Sequence, residues 1–126
     1  MMAKSVKQFI ARSIKKESFS DMVLRFMRER DLTPTIVYKR ANMDRKLFSK
    51  LMSTPDYHPS KKTVCAIVLA LHLDQPTSKQ LVKRAGYILS SGSAFDLVIR
   101  YCIEHGIYDL HQVNILLMEA GSKDYL

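Results

Sequence analysis

Along this chain apolar residues recur three and four positions apart, and no segment alternates in the way a half-buried strand would. The clearest stripe is Val64, Ile67, Val68 and Leu71, at i, i+3, i+4 and i+7. Phe19, Val23, Phe26 and Met27 form a second stripe, and Leu47, Phe48 and Leu51 a third. Two more follow, one rich in Phe95, Val98, Ile99, Tyr101 and Cys102, the other carrying Leu110, Val113, Leu116 and Leu117. Val6, Phe9, Ile10 and Ile14 fall at roughly helical spacing within residues 1–17, which read as a short amphipathic helix or as a basic arm.

Each stripe has a readable start and stop. Ser18 with Asp21 predicts a capping box, and the helix it opens should end near Asp31. Thr33-Pro34 predicts a capped start with proline where its missing N–H costs nothing. Asn42, tolerant of a left-handed turn, should close that helix. Asp44 is the next expected cap, and Thr54-Pro55 the next stop. Ser60 opens the Val64 stripe and Asp74-Gln75-Pro76 should break it. Thr77 with Gln80 then reads as a capping box, with Gly86 as terminator. Ser90-Ser91-Gly92-Ser93 is the most linker-like stretch. Ser93 with Asp96, and Asp109 with Gln112, predict two last helices stopping at Gly106 and Gly121. The organisation expected is a basic segment over 1–17, a helical domain over 18–89, and a C-terminal helical pair over 93–121 packed on it.

Composition supports burial of a proper core, since 47% of the chain is apolar with only 4 Gly and 4 Pro. Charge adds more. Residues 1–86 carry 18 Lys/Arg against 7 Asp/Glu, net +11, whereas residues 87–126 carry 2 against 5, net −3. A basic body with an acidic tail implies a polyanionic partner for the body, although solvated helix surfaces would give the same count. The basic start lacks the apolar run of a secretory leader, and no stretch approaches the ~18–20 apolar residues of a membrane helix. No membrane association is therefore expected, and Cys65 and Cys102, in apolar surroundings, predict two buried free thiols and a reducing cytoplasm.

Catalytic and metal chemistry find little support. There is no Gly-rich phosphate loop, nucleophile elbow or HExxH. Asp96, Glu104 and Asp109 each read as a cap or a surface charge. Cys102 and His105 share a helix face near His111, but a structural zinc needs four ligands. The expectation is therefore no enzyme, no metal and no cofactor.

The run Leu32 to Leu51 carries the functional signal. A short helix, a tight turn and a second short helix would set the second helix proud of the body, where its first half can enter a major groove. That half reads Asp44-Arg45-Lys46-Leu47-Phe48-Ser49-Lys50. Its outward residues are long donors and a small hydroxyl, and Arg and Lys suit the paired acceptors of guanine. Lys39, Arg40, Lys61 and Lys62 flank it as candidate phosphate contacts. Arg12, Lys15 and Lys16 read as a phosphate-binding arm or as a plain basic terminus.

Residues 32–51, with Pro59-Ser60-Lys61-Lys62-Thr63-Val64 and Ala70-Leu71-His72-Leu73, resemble the XRE family of lambda-repressor/Cro-like regulators, over roughly residues 20–86. The resemblance implies an all-α fold: a helix-turn-helix bundle of about five helices, here with a C-terminal helical pair. It implies a DNA-binding transcriptional regulator, with Arg45, Lys46 and Ser49 reading bases. Thr35 would touch backbone, and Lys39, Lys50, Lys61 and Lys62 complete the expected DNA-binding set. Two positions depart from the family pattern. Tyr38 stands where Ala is usual and must splay the two helices or point aside, and Asn42 stands where Gly is favoured. Residues 18–120 also resemble a helical module found at the end of some multidomain bacterial signalling or conflict-system proteins. That implies a docking role, such as an inhibitor or accessory domain of a phage or mobile element bound to a host defence nuclease. Double-stranded DNA is the first expected partner; a second copy, or a protein held by the apolar C-terminal helices, is the other.

Overall fold

The computed structural model describes residues 2–14 and 17–126, and its regular structure there is entirely helical. Its elements are α1 (Met2–Ile14), α2 (Phe19–Glu29), α3 (Pro34–Arg40), α4 (Arg45–Ser53), α5 (Lys61–Ala70), α6 (Gln75–Arg84), α7 (Ala94–His105) and α8 (Leu110–Glu119). The N-terminal segment takes the helical option, with Val6, Phe9 and Ile10 exposed on α1. Lys15, Lys16 and the side chain of Arg12 lie outside the described residues, so the expected phosphate-binding arm does too.

One continuous apolar core runs from Phe19 on α2 to Leu117 on α8. Its axis is α5. The sequence pattern predicts a one-sided stripe there, but every residue from Val64 to Leu71 is buried, Cys65, Ala66 and Leu69 included. A helix that is apolar all round must be covered all round. α3 and α6 pack directly against α5, and α2 packs in turn against α4 and α6. The pair α7 and α8 packs together and closes the α6 side.

The same local device stops six of the helices. Asp31, Asn42, His72, Gly86, Gly106 and Gly121 all have positive φ, from 52° to 88°. After each, the next amide reaches back to the helix: Leu32 N–H to Met27 C=O at 2.9 Å, Met43 to Tyr38 at 2.9 Å, and Ile107 to Cys102 at 2.8 Å. Leu73, Tyr87 and Ser122 do likewise. This is the Schellman closure, which satisfies carbonyls the helix leaves open. At three positions Asp, Asn and His take the conformation that Gly accepts more easily, and these are among the few side chains that tolerate it. Only α4 of α2–α8 ends differently, in extended Thr54 ahead of Pro55.

Several starts agree with the sequence pattern. The Ser18–Asp21 box is complete, with Asp21 N–H on Ser18 Oγ at 3.1 Å and Ser18 N–H on Asp21 Oδ2 at 3.3 Å. Thr33, Ser60, Ser93 and Asp109 cap as expected. Two starts differ, and so does one acidic residue. α6 opens at Asp74 rather than Thr77, because Asp74 Oδ1 accepts from Thr77 N–H at 2.9 Å and Pro76 fits the first turn, where no N–H is needed. Asp44 occupies the cap position of α4, but its side chain makes no capping bond. Asp96 is no surface charge: it is 2% exposed and its carboxylate is held by a distant lysine.

Candidate nucleic-acid interface

The segment from Pro34 to Ser53 is two short helices joined by a tight turn. Asn42 at φ 52° makes the turn, and the Met43 N–H to Tyr38 C=O bond locks it. Val37 (0% exposed), Phe48 (3%) and Leu51 (1%) anchor both helices to the core. With those three inward, helical geometry sends Arg45, Lys46, Ser49 and Lys50 outward, and all four are exposed.

Thr35 and Tyr38 of α3 and Arg45 and Ser49 of α4 line one shallow groove of about 510 Å³, floored by Phe48 and Met52. Three of the residues expected to touch DNA, Thr35, Arg45 and Ser49, therefore meet at one surface. Tyr38 meets them too. Its ring is half-buried and tilted against Phe48, with centroids 6.2 Å apart and planes at 46°. The groove lining contains no carboxylate. Thr33, Thr35, Lys39 and Lys46 are exposed around it.

The remaining expected contacts are committed elsewhere to different degrees. Lys50 Nζ sits 5.4 Å from the centroid of Tyr57, a cation–π contact that leaves the residue exposed. Lys62 pairs with Asp124 at 3.1 Å, both side chains being more than half exposed. Lys61 is bound more firmly: its ammonium lies 2.7 Å from Asp96 Oδ2, which also accepts from Ser90 N–H at 2.8 Å and Ser90 Oγ at 3.2 Å. Arg40 donates to Ala70 C=O at 3.1 Å and ties α3 to the end of α5. The structure thus gathers Arg45, Lys46, Ser49, Lys50, Thr35 and Lys39 on one side, and places Lys61 and Lys62 at the start of α5 against the acidic C-terminal region.

The sequence reading singled out Tyr38 at the approach of the two helices but not as a lining residue of the groove, and it missed Asp96 as a buried anchor. No local signal reveals either, since each depends on a partner from another helix. The thiols of Cys65 and Cys102 are buried, and burial raises their pKa to about 12 and about 11. His105 is occupied by Tyr101, stacked at 4.1 Å with Nδ1 at 2.9 Å from the Tyr101 carbonyl oxygen. Among the described residues no three His, Cys, Asp or Glu side chains gather as metal ligands. Nor is any helix there long and apolar enough to cross a membrane. What the α3–α4 surface offers is donors: cations and hydroxyls aimed outward from rigid helices. No family model, curated protein or solved structure matches this chain.

Proposed function

We propose that the chain binds double-stranded DNA in a sequence-specific manner and acts as a transcriptional regulator, with α3, its turn and α4 serving as a lambda-repressor-like helix-turn-helix. The observation that carries this reading is the outer face of α4. Arg45, Lys46, Ser49 and Lys50 are exposed together, while Phe48 and Leu51 fix the helix beneath them. In this reading Arg45, Lys46 and Ser49 meet base edges, and Thr35, Lys39 and Lys50 meet phosphate or sugar. Tyr38 joins them as a flat apolar surface in the same groove. Lys62 reaches phosphate only by leaving Asp124, an exchange that an exposed pair makes at little cost.

The test is fluorescence anisotropy on labelled duplexes across a salt series. Association should weaken steeply with salt, because phosphate contacts release counterions. Arg45→Glu with Lys46→Glu should abolish binding while circular dichroism stays unchanged. If duplexes are not retained at low salt, the reading fails.

A protein-docking role has its own support. Leu97 and Tyr101, one turn apart on α7, and Ile115 and Met118 on α8 are 40–62% exposed, more apolar surface than capped helices need. This reading predicts a stoichiometric protein partner whose capture ignores the Arg45/Lys46 reversal and is lost with Tyr101→Glu.

A further inference from the structure

A second concave site lies away from the α3–α4 surface, between α6 and α7, with a volume of about 290 Å³. Helical spacing builds it. On α6, Ser78, Lys79, Val82 and Lys83 fall on one face at i, i+1, i+4 and i+5, and on α7 Arg100 and Ile103 oppose them one turn apart. The connector after α6 closes one end with Tyr87 and Leu89. Its size is near the lower bound of small-molecule sites, about 300 Å³.

The chemistry of the lining is mixed in a particular way. Val82 and Ile103, 2% and 6% exposed, give it an apolar floor. Lys79, Lys83 and Arg100 give it three cations. Among the described residues none of the three has a carboxylate within ion-pair distance, whereas Arg25, Arg30, Lys61 and Lys62 all do. Ser78 supplies a further polar group. It is 2% exposed, it lines the cleft, and its Oγ has no hydrogen-bond partner. A buried hydroxyl without a partner is uncommon, and rotation about χ1 can turn it toward an acceptor.

We propose that this cleft binds a small anionic amphiphile, a single carboxylate on a short apolar body. Each half of the ligand answers one half of the lining. The apolar body covers Val82 and Ile103, and the carboxylate accepts from Arg100 and the two lysines, in the charge-assisted geometry that such groups favour. A cation would face three like charges. A neutral apolar molecule would leave those cations, and the Ser78 hydroxyl, unanswered. Nucleic acid offers its charge on a broad backbone that a cleft of this volume does not admit. The proposal does not depend on the DNA-binding reading, because it concerns the free protein.

The experiment is a titration of the ¹⁵N-labelled full chain followed by amide chemical shifts. Octanoate is the probe; acetate, 1-octanol and octyltrimethylammonium are the comparisons. Octanoate should give saturable shifts confined to α6, residues 87–89 and the Arg100–Ile103 turn. Arg100→Gln, and separately Lys79→Gln with Lys83→Gln, should weaken it about tenfold, the worth of a charge-assisted bond. These are exposed positions, so the fold should persist, and the unperturbed amides report that directly. The proposal is overturned by no saturable shift, by shifts centred elsewhere, by octanol or octyltrimethylammonium binding as tightly as octanoate, or by unchanged affinity in the charge variants. Acetate binding as tightly as octanoate removes the apolar half of the argument and overturns it equally.

Discussion

Lys61 on α5 and Asp96 on α7 meet at 2.7 Å across 35 residues of sequence, and they join the basic body of the chain to its acidic C-terminal pair. Asp96 is 2% exposed, and its remaining bonds go to Ser90 in the connector. A buried carboxylate deprived of its cation is strongly destabilising, whereas an exposed pair contributes little. Lys61→Ala should therefore cost about 2–3 kcal/mol, discounted because the lysine is partly exposed. Lys62→Ala, which breaks the exposed pair with Asp124, should cost at most about 1 kcal/mol. Urea denaturation of both variants checks the difference, and equal costs would contradict the assignment of Asp96 as an anchor.

Asn42 sets the angle between α3 and α4 through its positive φ of 52°. Alanine there pays the left-handed penalty of about 1–2 kcal/mol, while glycine does not. Asn42→Gly should consequently be more stable than Asn42→Ala by about that amount in thermal or urea unfolding. Equal stability of the two would mean that the turn relaxes to another conformation.

The starts and stops of the helices were legible because they are local. Ser18, Thr33, Ser60 and Ser93 each bond an amide three residues on, and Gly86, Gly106 and Gly121 each close the turn they follow. Where two residues could cap, the pattern was ambiguous: Asp74 and Thr77 are both competent, and Asp74 prevailed by bonding the Thr77 amide itself. The outward face of α4 was legible from the spacing of Phe48 and Leu51. Its surroundings were not. Tyr38 against Phe48, Lys62 against Asp124 and Lys61 against Asp96 are tertiary contacts, and periodicity holds no information on which helix lies opposite.

His72 gives the stability a pH dependence of known sign. Its ring stacks on Tyr108 at 4.4 Å, and partial burial, aided by the charge of Arg40, lowers its pKa from the ordinary value of about 6.5. Between the lowered value and that of the unfolded chain, the unfolded state binds more protons. Stability is then complete above about pH 6.5 and declines as the pH falls toward the folded value. Between about pH 7.5 and pH 5.5 the wild-type Tm should drop more than that of His72→Asn, which keeps a residue suited to φ 54°. Parallel Tm curves would exclude a contribution from His72.

Cys65 is 1% exposed and Cys102 0%, and burial holds both thiols in the protonated form at neutral pH. Only the thiolate is nucleophilic. The native protein should therefore leave a disulfide reagent such as DTNB unconsumed over minutes, and release two equivalents of colour once guanidinium unfolds it. Rapid native labelling would show that α5 or α7 opens easily.

The repeated left-handed stop carries a consequence for how the chain folds. Six helices are bounded by residues within or beside themselves, so where each one stops is set before any distant partner arrives. The search that remains is the docking of short, already delimited segments against one another. Chains organised in this way, with contacts weighted to near neighbours, reach the native state in microseconds to milliseconds.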